Sequence, residues 1–259
     1  MIYLILLGCI LLALIVKFIV IDKVRIKWKT FLKKGFRPSR GEFGLYCYTG
    51  NQGKGKTYSL VEYVYDNRNH NEIYFTNIGD IQSLNYAPRT QSILQDYQFF
   101  IKNLDKYNAF YYHNFSELAI LKEYFDKYNF KQYGRPLRII YDELFIELQR
   151  GSTIPLPIQD LLCQLRKREI IFLTTCQIWS EVPLYFRRMC RYQINCNMIP
   201  ILSFGVLLKQ FNDAENMHWD ADLQEHVAPT IELSITKTRK QVSDSYNTKT
   251  MITNYEDNA

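Results

Sequence analysis

A glycine-rich stretch, YTGNQGKGKTYS, at residues 48 to 59 limits the folds open to this chain more than any other segment. Gly50, Gly55, Lys56 and Thr57 match the spacing G-x-x-x-x-G-K-[ST]. Glycines at such positions let the backbone curl until its N–H groups point at one anion. The stretch therefore predicts a phosphate-binding loop, which requires a strand before it and a helix after it.

The segments on both sides of the loop meet this requirement. FGLYCYTG, residues 43 to 50, is apolar and aromatic and ends in glycine, which predicts a short buried strand. TYSLVEYVYDN, residues 57 to 67, predicts a helix that turns its positive N-terminal end toward the anion. The alternative is a glycine-rich turn that binds no ligand, but it does not explain why a strand precedes the loop and a helix follows it. The predicted nucleotide contacts (Walker A) are Gly50, Asn51, Gln52, Gly53, Lys54, Gly55, Lys56, Thr57 and Tyr58.

Two side chains of the loop have specific predicted roles. Lys56 supplies positive charge to the β- and γ-phosphates, and the hydroxyl of Thr57 is a Mg²⁺ ligand. Lys54 adds a further charge within the loop or faces solvent. No NKxD-type guanine-recognition motif is evident in the sequence, so ATP with Mg²⁺ is the predicted ligand.

A pair of acids ends a later apolar segment. PLRIIYDEL, residues 136 to 144, predicts a strand that finishes at Asp142 and Glu143. Asp142 suits a Mg²⁺–water ligand (Walker B), and Glu143 suits the base that orients the attacking water. The alternative is a solvated loop start, but the position after a phosphate loop favours ATP hydrolysis.

Further polar residues are candidates for contacts with the γ-phosphate. Gln177 ends the apolar run IIFLTTCQ and could sense this phosphate, or be a polar strand end without a role. In oligomeric motors an arginine of the neighbouring subunit neutralises charge in the transition state. A solvated basic helix face or a local phosphate contact is the more common role for any single arginine. The candidate arginines are Arg166, Arg168, Arg187, Arg188 and Arg191.

Strands and helices alternate along the body of the chain. Strands are predicted at 72–79, 170–177, 193–208 and 229–236, and helices at 115–128 and 158–169. Such alternation predicts an α/β fold with a mainly parallel sheet and helices on both faces, the three-layer sandwich of a P-loop NTPase. The predicted ATPase domain covers 43–242 and a polar tail covers 243–259.

The N-terminus differs from the body. Residues 1 to 16 carry no charge, and only Lys17 interrupts the apolar run up to Ile21. About 20 residues span a bilayer, so residues 1–22 are predicted to be one transmembrane anchor. A cleaved signal peptide, which expects a basic start, and a buried core helix are the alternatives. The basic linker, 23–42, predicts that the body stays in the cytoplasm, with the N-terminus outside.

Composition limits the other kinds of partner. The net charge is +6, but residues 1–40 hold nine basic side chains and one acid, which leaves −2 for the rest. The charge is therefore a membrane-orientation signal rather than a domain-wide DNA-binding surface. The six cysteines form no CxxC pair, and together with the four histidines they suggest no structural metal site. They are predicted to be buried, reduced thiols.

Together these motifs resemble the zonula occludens toxin-like ATPases, which include filamentous phage morphogenesis proteins and are related to the FtsK–HerA motors. The segments that carry the resemblance are GNQGKGKT, IYFTNI, IIYDEL and LRKREIIFLTTCQ, within residues 43 to 200. The resemblance implies that the strand ending at Gln177 lies between the strands that carry the loop and Asp142. In the filamentous phage members the membrane segment follows the ATPase domain, whereas here it precedes it.

The resulting expectation is a membrane-anchored ATPase of the host cell inner (plasma) membrane that powers export, packaging or assembly of phage DNA. A homo-oligomeric ring is the expected working form, with phage DNA or virion assembly proteins as further partners. The alternatives are a DNA-translocating ATPase of a plasmid or conjugative element, and a nucleotide-dependent scaffold that does not hydrolyse ATP.

Overall fold

A computed structural model describes most of the chain after residue 42 and two short N-terminal pieces. The described residues are 2–16, 25–27, 43–68, 71–90, 92–125, 130, 134–144, 148, 153–201, 204–222 and 224–246. The helices are α1 (Ile2–Val16), α2 (Lys56–Asn67), α3 (Ile93–Lys102), α4 (Phe115–Phe125), α5 (Leu156–Gln164), α6 (Leu184–Met189) and α7 (Lys240–Ser243). The strands are β1 (Arg25–Lys27), β2 (Gly44–Thr49), β3 (Ile73–Thr76), β4 (Ala109–Tyr111), β5 (Leu137–Tyr141), β6 (Ile171–Cys176), β7 (Cys190–Ile201), β8 (Phe204–Asp213), β9 (His218–Asp220), β10 (Glu225–Val227) and β11 (Thr230–Lys237).

Nine of the described strands form one sheet in the order β1-β11-β8-β7-β2-β6-β5-β3-β4. The six strands from β7 to β4 in this order run parallel, while β8 is antiparallel to both β7 and β11. The prediction of a mainly parallel sheet is confirmed. The run predicted at 193–208 corresponds to two antiparallel strands, β7 and β8, which extend the sheet beside the loop strand.

Both faces of the central sheet are buried because successive side chains of a strand point to opposite faces. Leu45 and Cys47 of β2 join a core with α3, α4 and α5, and Tyr46 and Tyr48 join a second core with α2 and Val242 of α7. Strands buried on both faces read as continuous apolar runs, which is how β2, β5 and β6 appear in the sequence. The predicted three-layer arrangement is therefore confirmed.

The predicted helix at 158–169 ends earlier than its pattern suggests, since α5 finishes at Gln164 and turns follow. Glu169 has a left-handed φ of 57°. The N–H of Ile170 donates to Leu165 O at 2.9 Å, and the N–H of Glu169 donates to Arg166 O at 3.2 Å. This pair of bonds closes the end of a helical segment and sends the chain into β6.

The N-terminal helix α1 is fifteen residues long. In the described part of the chain, none of the helices combines the length and the apolar character needed to cross a bilayer. The predicted anchor continues over residues 17–22, which lie outside the described residues. The linker at 23–42 is described only at β1, and the predicted tail only as far as residue 246.

The parallel strands β2, β6, β5 and β3 all end at one edge of the sheet. The residue after each strand is therefore brought to this edge: Gly50, Gln177, Asp142 and Asn77. Ligands of open α/β sheets bind outside the carboxyl ends of the strands. The strand order thus gathers the predicted site residues from distant parts of the sequence.

Candidate functional site

The loop between β2 and α2 has the backbone that its glycines allow. Gly50 has a φ of 135°, and a Cβ there would lie 2.6 Å from Cys196 O. Gly55 has a φ of 86°, and its Cβ would meet Leu207 and Met198 at 2.8 Å. Side chains at these two positions would therefore collide with the β7–β8 pair. The loop is curled and also pressed against the neighbouring strands, so both glycines are sterically required.

Lys56 begins α2 and is buried within the loop. Its ammonium group donates a hydrogen bond to Asn51 O at 3.1 Å, so the lysine reaches back across the loop that precedes it. The first N–H groups of a helix lack intrahelical partners and carry partial positive charge. The lysine and the helix N-terminus together create a positive hollow suited to phosphate.

The structure brings the two predicted Mg²⁺ ligands into contact. Thr57 Oγ1 donates a hydrogen bond to Asp142 Oδ2 at 2.8 Å, although the two residues are 85 positions apart. A hydroxyl and a carboxylate are the hard oxygen donors that Mg²⁺ prefers, and Mg²⁺ usually retains several waters instead of requiring a full protein cage. The donor set therefore fits this ion.

Asp142 is held by residues that the sequence interpretation missed. Thr175 Oγ1 donates to its other oxygen, Oδ1, at 2.5 Å. Asn77 brackets its backbone: Asp142 N donates to Asn77 Oδ1 at 2.7 Å, and Asn77 Nδ2 donates to Asp142 O at 2.9 Å. Asn77 directly follows β3, and Thr175 is the last residue but one of β6, so both lie at the same edge of the sheet. A polar residue that closes an apolar run was a signal for Asn77, whereas Thr175 lies within its run.

The charge state of Asp142 reflects opposing effects. Burial raises the pKa of its carboxyl, because the ionised form loses contact with water. The hydrogen bonds from Thr175 and Thr57 and the charge of Lys56 oppose this rise by favouring the carboxylate. A buried carboxylate that depends on these partners is well placed to hold a cation.

Glu143 differs from its neighbour in exposure and in backbone. Its side chain is exposed, its φ is 59°, and its N–H donates to Thr175 Oγ1 at 2.7 Å. A left-handed glutamate is uncommon and is held there at some energetic cost. Partial desolvation and the charge of Asp142 raise the pKa of Glu143, against the opposing effect of Lys56. A raised pKa makes a carboxylate a better proton acceptor near neutral pH.

Gln177 lies at the predicted place. Its strand, β6, is between β2 and β5 in the sheet, which confirms the order expected from the resemblance. Its backbone O accepts a hydrogen bond from Gly50 N at 3.3 Å, and its side chain is exposed. Gln177 therefore lies directly beside the first glycine of the loop.

Four further residues were predicted to contact the nucleotide: Tyr58, Asn51, Gln52 and Gly53. The hydroxyl of Tyr58 accepts from Arg239 N at 2.8 Å in the core below α2, so its side chain is directed away from the loop. Asn51, Gln52 and Gly53 are exposed on the loop. Contacts of Tyr58 with a phosphate would have to come from its backbone.

The candidate arginines differ in exposure. Arg187 is buried and donates to Val182 O at 3.0 Å, and Arg166 pairs with Glu215 of the same chain. Arg168 Nε donates to Gln164 Oε1 at 2.6 Å, and Arg191 Nη1 donates to Phe43 O at 3.5 Å. These four arginines thus have contacts within the chain, whereas Arg188 of α6 is exposed.

No protein-family model matches the sequence, and a search of curated proteins gives no match. Among solved structures, the chain is similar to the N-terminal domain of zonular occludens toxin from Neisseria meningitidis. The identity is 19%, the TM-score is 0.46, and the match covers 79% of this chain and 98% of that one. The motifs of the sequence resemble the family of this same toxin.

The genome packaging NTPase B204 from Sulfolobus turreted icosahedral virus 2 is also similar. Its complex with ATP-gammaS has 15% identity and a TM-score of 0.44, covering 59% of this chain and 73% of that one. Its complex with AMP has 12% identity and a TM-score of 0.45, covering 76% and 99%.

Proposed function

We propose that the protein is a membrane-anchored P-loop ATPase that powers the export, packaging or assembly of phage DNA. The observation that carries the ATPase part is the contact between Thr57 and Asp142 at 2.8 Å, beside a loop that already encloses Lys56. Hydroxyl, carboxylate and ammonium groups converge at the end of a helix, which is the set that a nucleotide with Mg²⁺ requires.

The chain's own residues account for binding and positioning of the phosphates. Lys56 exchanges its bond to Asn51 O for the β- and γ-phosphates of ATP, and the N-terminal N–H groups of α2 bind the same anion. Thr57 and Asp142 are the residues that would hold Mg²⁺, which neutralises charge on the β- and γ-phosphates when bound. Thr175 and Asn77 keep Asp142 in place by the bonds described above.

Glu143 and Gln177 account for the proposed hydrolysis. Glu143 accepts a proton from the attacking water, which its exposed position and raised pKa favour. Gln177 lies beside Gly50, and its exposed side chain contacts the γ-phosphate and reports its loss. Hydrolysis then shifts one subunit against the next.

The membrane anchor and the DNA that the ATPase would move are separate parts of the proposed function. Residues 1–22 form the anchor and the basic linker sets its orientation, because the apolar run is followed by eight basic residues between 23 and 40. That the motor moves phage DNA is proposed from the motif resemblance. A ring is proposed because oligomeric motors of this kind use an arginine of the neighbouring subunit.

The test of the ATPase part is a pair of variants in the purified full-length protein. We expect Lys56→Ala to abolish ATP binding, because it removes the charge within the loop. We expect Glu143→Gln to retain binding and to lower turnover at least about a hundredfold, which is the usual contribution of a general base. Binding is measured by calorimetry and turnover by phosphate release.

Matched controls distinguish site effects from general effects of charge. Lys102→Ala and Glu123→Gln change exposed residues of α3 and α4, and both should bind and hydrolyse ATP normally. Normal hydrolysis by both site variants would show that the site assignment is wrong. Binding without turnover in the unaltered protein, with DNA and membrane present, would instead favour the scaffold alternative.

A further inference from the structure

Beside the phosphate loop lies a cleft that shares its edge with loop residues and Gln177 but extends over strand residues to which no role has been assigned. Ile194 and Cys196 of β7 and Leu207 and Phe211 of β8 face the core under α2. The alternate residues of these strands therefore face the opposite side of the sheet. On that side the core of α3, α4 and α5 includes no described residue of β8 or β11. The sheet extension thus exposes one polar face next to the loop.

This face forms a cleft of about 680 Å³ that we call the amide cleft. Its polar floor consists of Thr49, Gln193, Asn195, Asn197, Gln210, Asn212 and Thr230. Gly50, Asn51 and Lys54 of the loop line one side, and Gln177, Ile178 and Trp179 line another. The volume is within the range of small-molecule sites. The cleft is therefore continuous with the surface of the phosphate loop.

The amides of the floor are ordered by hydrogen bonds to one another. Gln193 Nε2 donates to Thr49 Oγ1 at 3.4 Å, and Asn212 Nδ2 donates to Gln193 Oε1 at 3.3 Å. Gln210 Nε2 donates to Asn212 Oδ1 at 3.1 Å and to Thr230 Oγ1 at 2.6 Å. Asn212 is only 7% exposed, so the centre of this array is fixed within the fold.

Several polar groups of the cleft retain capacity for a ligand. Asn195 and Asn197 are exposed, and neither makes a side-chain hydrogen bond to another described residue. The amide groups of these two asparagines are therefore available as donors and acceptors for a ligand in the cleft.

The nearly uncharged lining of the cleft suits the base of a nucleotide. Among the described residues, no acid lines the cleft, and the lining side chains that can carry positive charge are Lys54, on the side of the loop, and His226. Neutral amides offer a donor and an acceptor side by side, and such pairs bind the edge of a nucleobase. Ile178, Trp179 and Val227 add apolar surface suited to the flat face of a base.

We propose that the amide cleft binds the base of the nucleotide whose phosphates lie on loop residues 50–57, and that its amides select adenine. Adenine presents an amino donor beside a ring-nitrogen acceptor, which one amide can satisfy with both of its groups, whereas guanine presents two acceptors there. The proposal rests on the proposed nucleotide site, because the loop supplies both the phosphate contacts and one wall of the cleft.

The test compares three probes, ATP, GTP and inorganic tripolyphosphate, on the full-length protein. The variant Asn195→Ala/Gln210→Ala removes amides from the cleft, and Gln98→Ala on the exposed surface of α3 is the matched control. We expect the double variant to lose about tenfold in affinity for ATP, the equivalent of one amide–base pair at the low end of its range. Affinity for tripolyphosphate should not change.

The outcomes separate this proposal from the proposed function. An unchanged ratio of ATP to GTP affinity in the double variant would overturn base selection, while ATP and tripolyphosphate binding that depends on Lys56 would leave the ATPase intact. Tripolyphosphate binding that is insensitive to Lys56→Ala would count against the nucleotide site itself. Weaker binding of single-stranded oligonucleotides with unchanged ATP affinity would assign the cleft to DNA and overturn the proposal.

Discussion

Asp142 shows how a single residue depends on its neighbours. It is 2% exposed, and hydrogen bonds from Thr57 and Thr175 favour the ionised form of its carboxyl against the effect of burial. Thr175 also accepts the N–H of Glu143 and therefore connects the metal-binding acid to the proposed base. A hydroxyl that appears in the sequence as part of an apolar strand is thus central to the site.

Thr175→Val tests this connection with little change of shape. The variant removes the donor to Asp142 Oδ1, and a bond to the charged form normally lowers a carboxyl pKa. We therefore expect the pKa of Asp142 to rise further and the acid limb of the pH–rate profile to move to higher pH. Turnover should fall roughly tenfold or more, as for loss of a bond to a charged group.

Thr174→Val is the matched control for this prediction. Thr174 is the preceding residue of β6, equally buried, and its Oγ1 has no hydrogen-bond partner among the described residues. Replacing this hydroxyl should leave the pH–rate profile unchanged and keep or increase the free energy of unfolding. An identical effect of the two variants would show that Thr175 acts through packing alone.

At the scale of elements, the helix after the loop is tied to the antiparallel extension of the sheet. Glu62 of α2 pairs with Lys209 of β8 at 2.7 Å and with Arg239 at 3.2 Å, and Arg239 also pairs with Asp66 at 2.6 Å. Glu62 and Lys209 are almost fully buried. The network holds α2 against the strands that also confine Gly55 of the loop.

Lys209→Met should be strongly destabilising. It leaves a buried charge on Glu62 with one partner fewer, and breaking a buried ion pair costs about 3–5 kcal/mol. The double variant Lys209→Met/Glu62→Leu should recover much of this loss, because no charge then lies buried beside the methionine. Denaturant unfolding measures the free energy of unfolding of both variants. A double variant as unstable as Lys209→Met would contradict a buried ion pair between Glu62 and Lys209.

The same network predicts a pH dependence. Burial tends to raise the pKa of Glu62, but Lys209 and Arg239 more than offset this effect, so the folded-state pKa is lowered. The unfolded chain therefore binds its proton first as the pH falls. The stabilisation is complete above the ordinary glutamate pKa and is lost as pH falls through the folded value. The Lys209→Met/Glu62→Leu variant should lack this acid-dependent loss of unfolding free energy.

At the scale of the whole molecule, the N-terminus combines an uncharged apolar run, residues 1–16, with an excess of positive charge over residues 17–40. Deletion of residues 2–21 should move the protein from the membrane fraction to the soluble fraction, since it removes the apolar run. The full-length protein should stay with membranes in high salt, where purely electrostatic attraction by the basic linker is screened. Release of the full-length protein by salt alone would contradict an anchor that spans the bilayer.

Arg188 allows a test of the proposed ring. We expect Arg188→Ala to lower turnover by about a thousandfold or more if this arginine serves the neighbouring site. Mixing it with Lys56→Ala should then restore part of the activity, because each variant supplies what the other lacks. The control mixture contains Lys102→Ala in place of Arg188→Ala and should show only dilution. No recovery in verified mixed oligomers would exclude this arginine.

Local patterns predicted much of the fold around the site. The spacing of Gly50, Gly55, Lys56 and Thr57, with an apolar run before and a helical pattern after, was sufficient for the strand, loop and helix. The acids at the end of β5 were visible for the same reason. Such features depend on residues within one or two turns of each other, so a single sequence carries them.

Most helices and strands around the site could be read from the sequence, since propensity and apolar periodicity act over short distances. Strand pairing depends on contacts between residues that are far apart in the chain, so apart from the place of β6, which the resemblance implied, it became known only from the folded structure. The contact of Thr57 with Asp142 and the support from Asn77 and Thr175 follow from that pairing. So does the amide cleft, whose residues on β7, β8 and β11 become neighbours of the phosphate loop only once the sheet has formed.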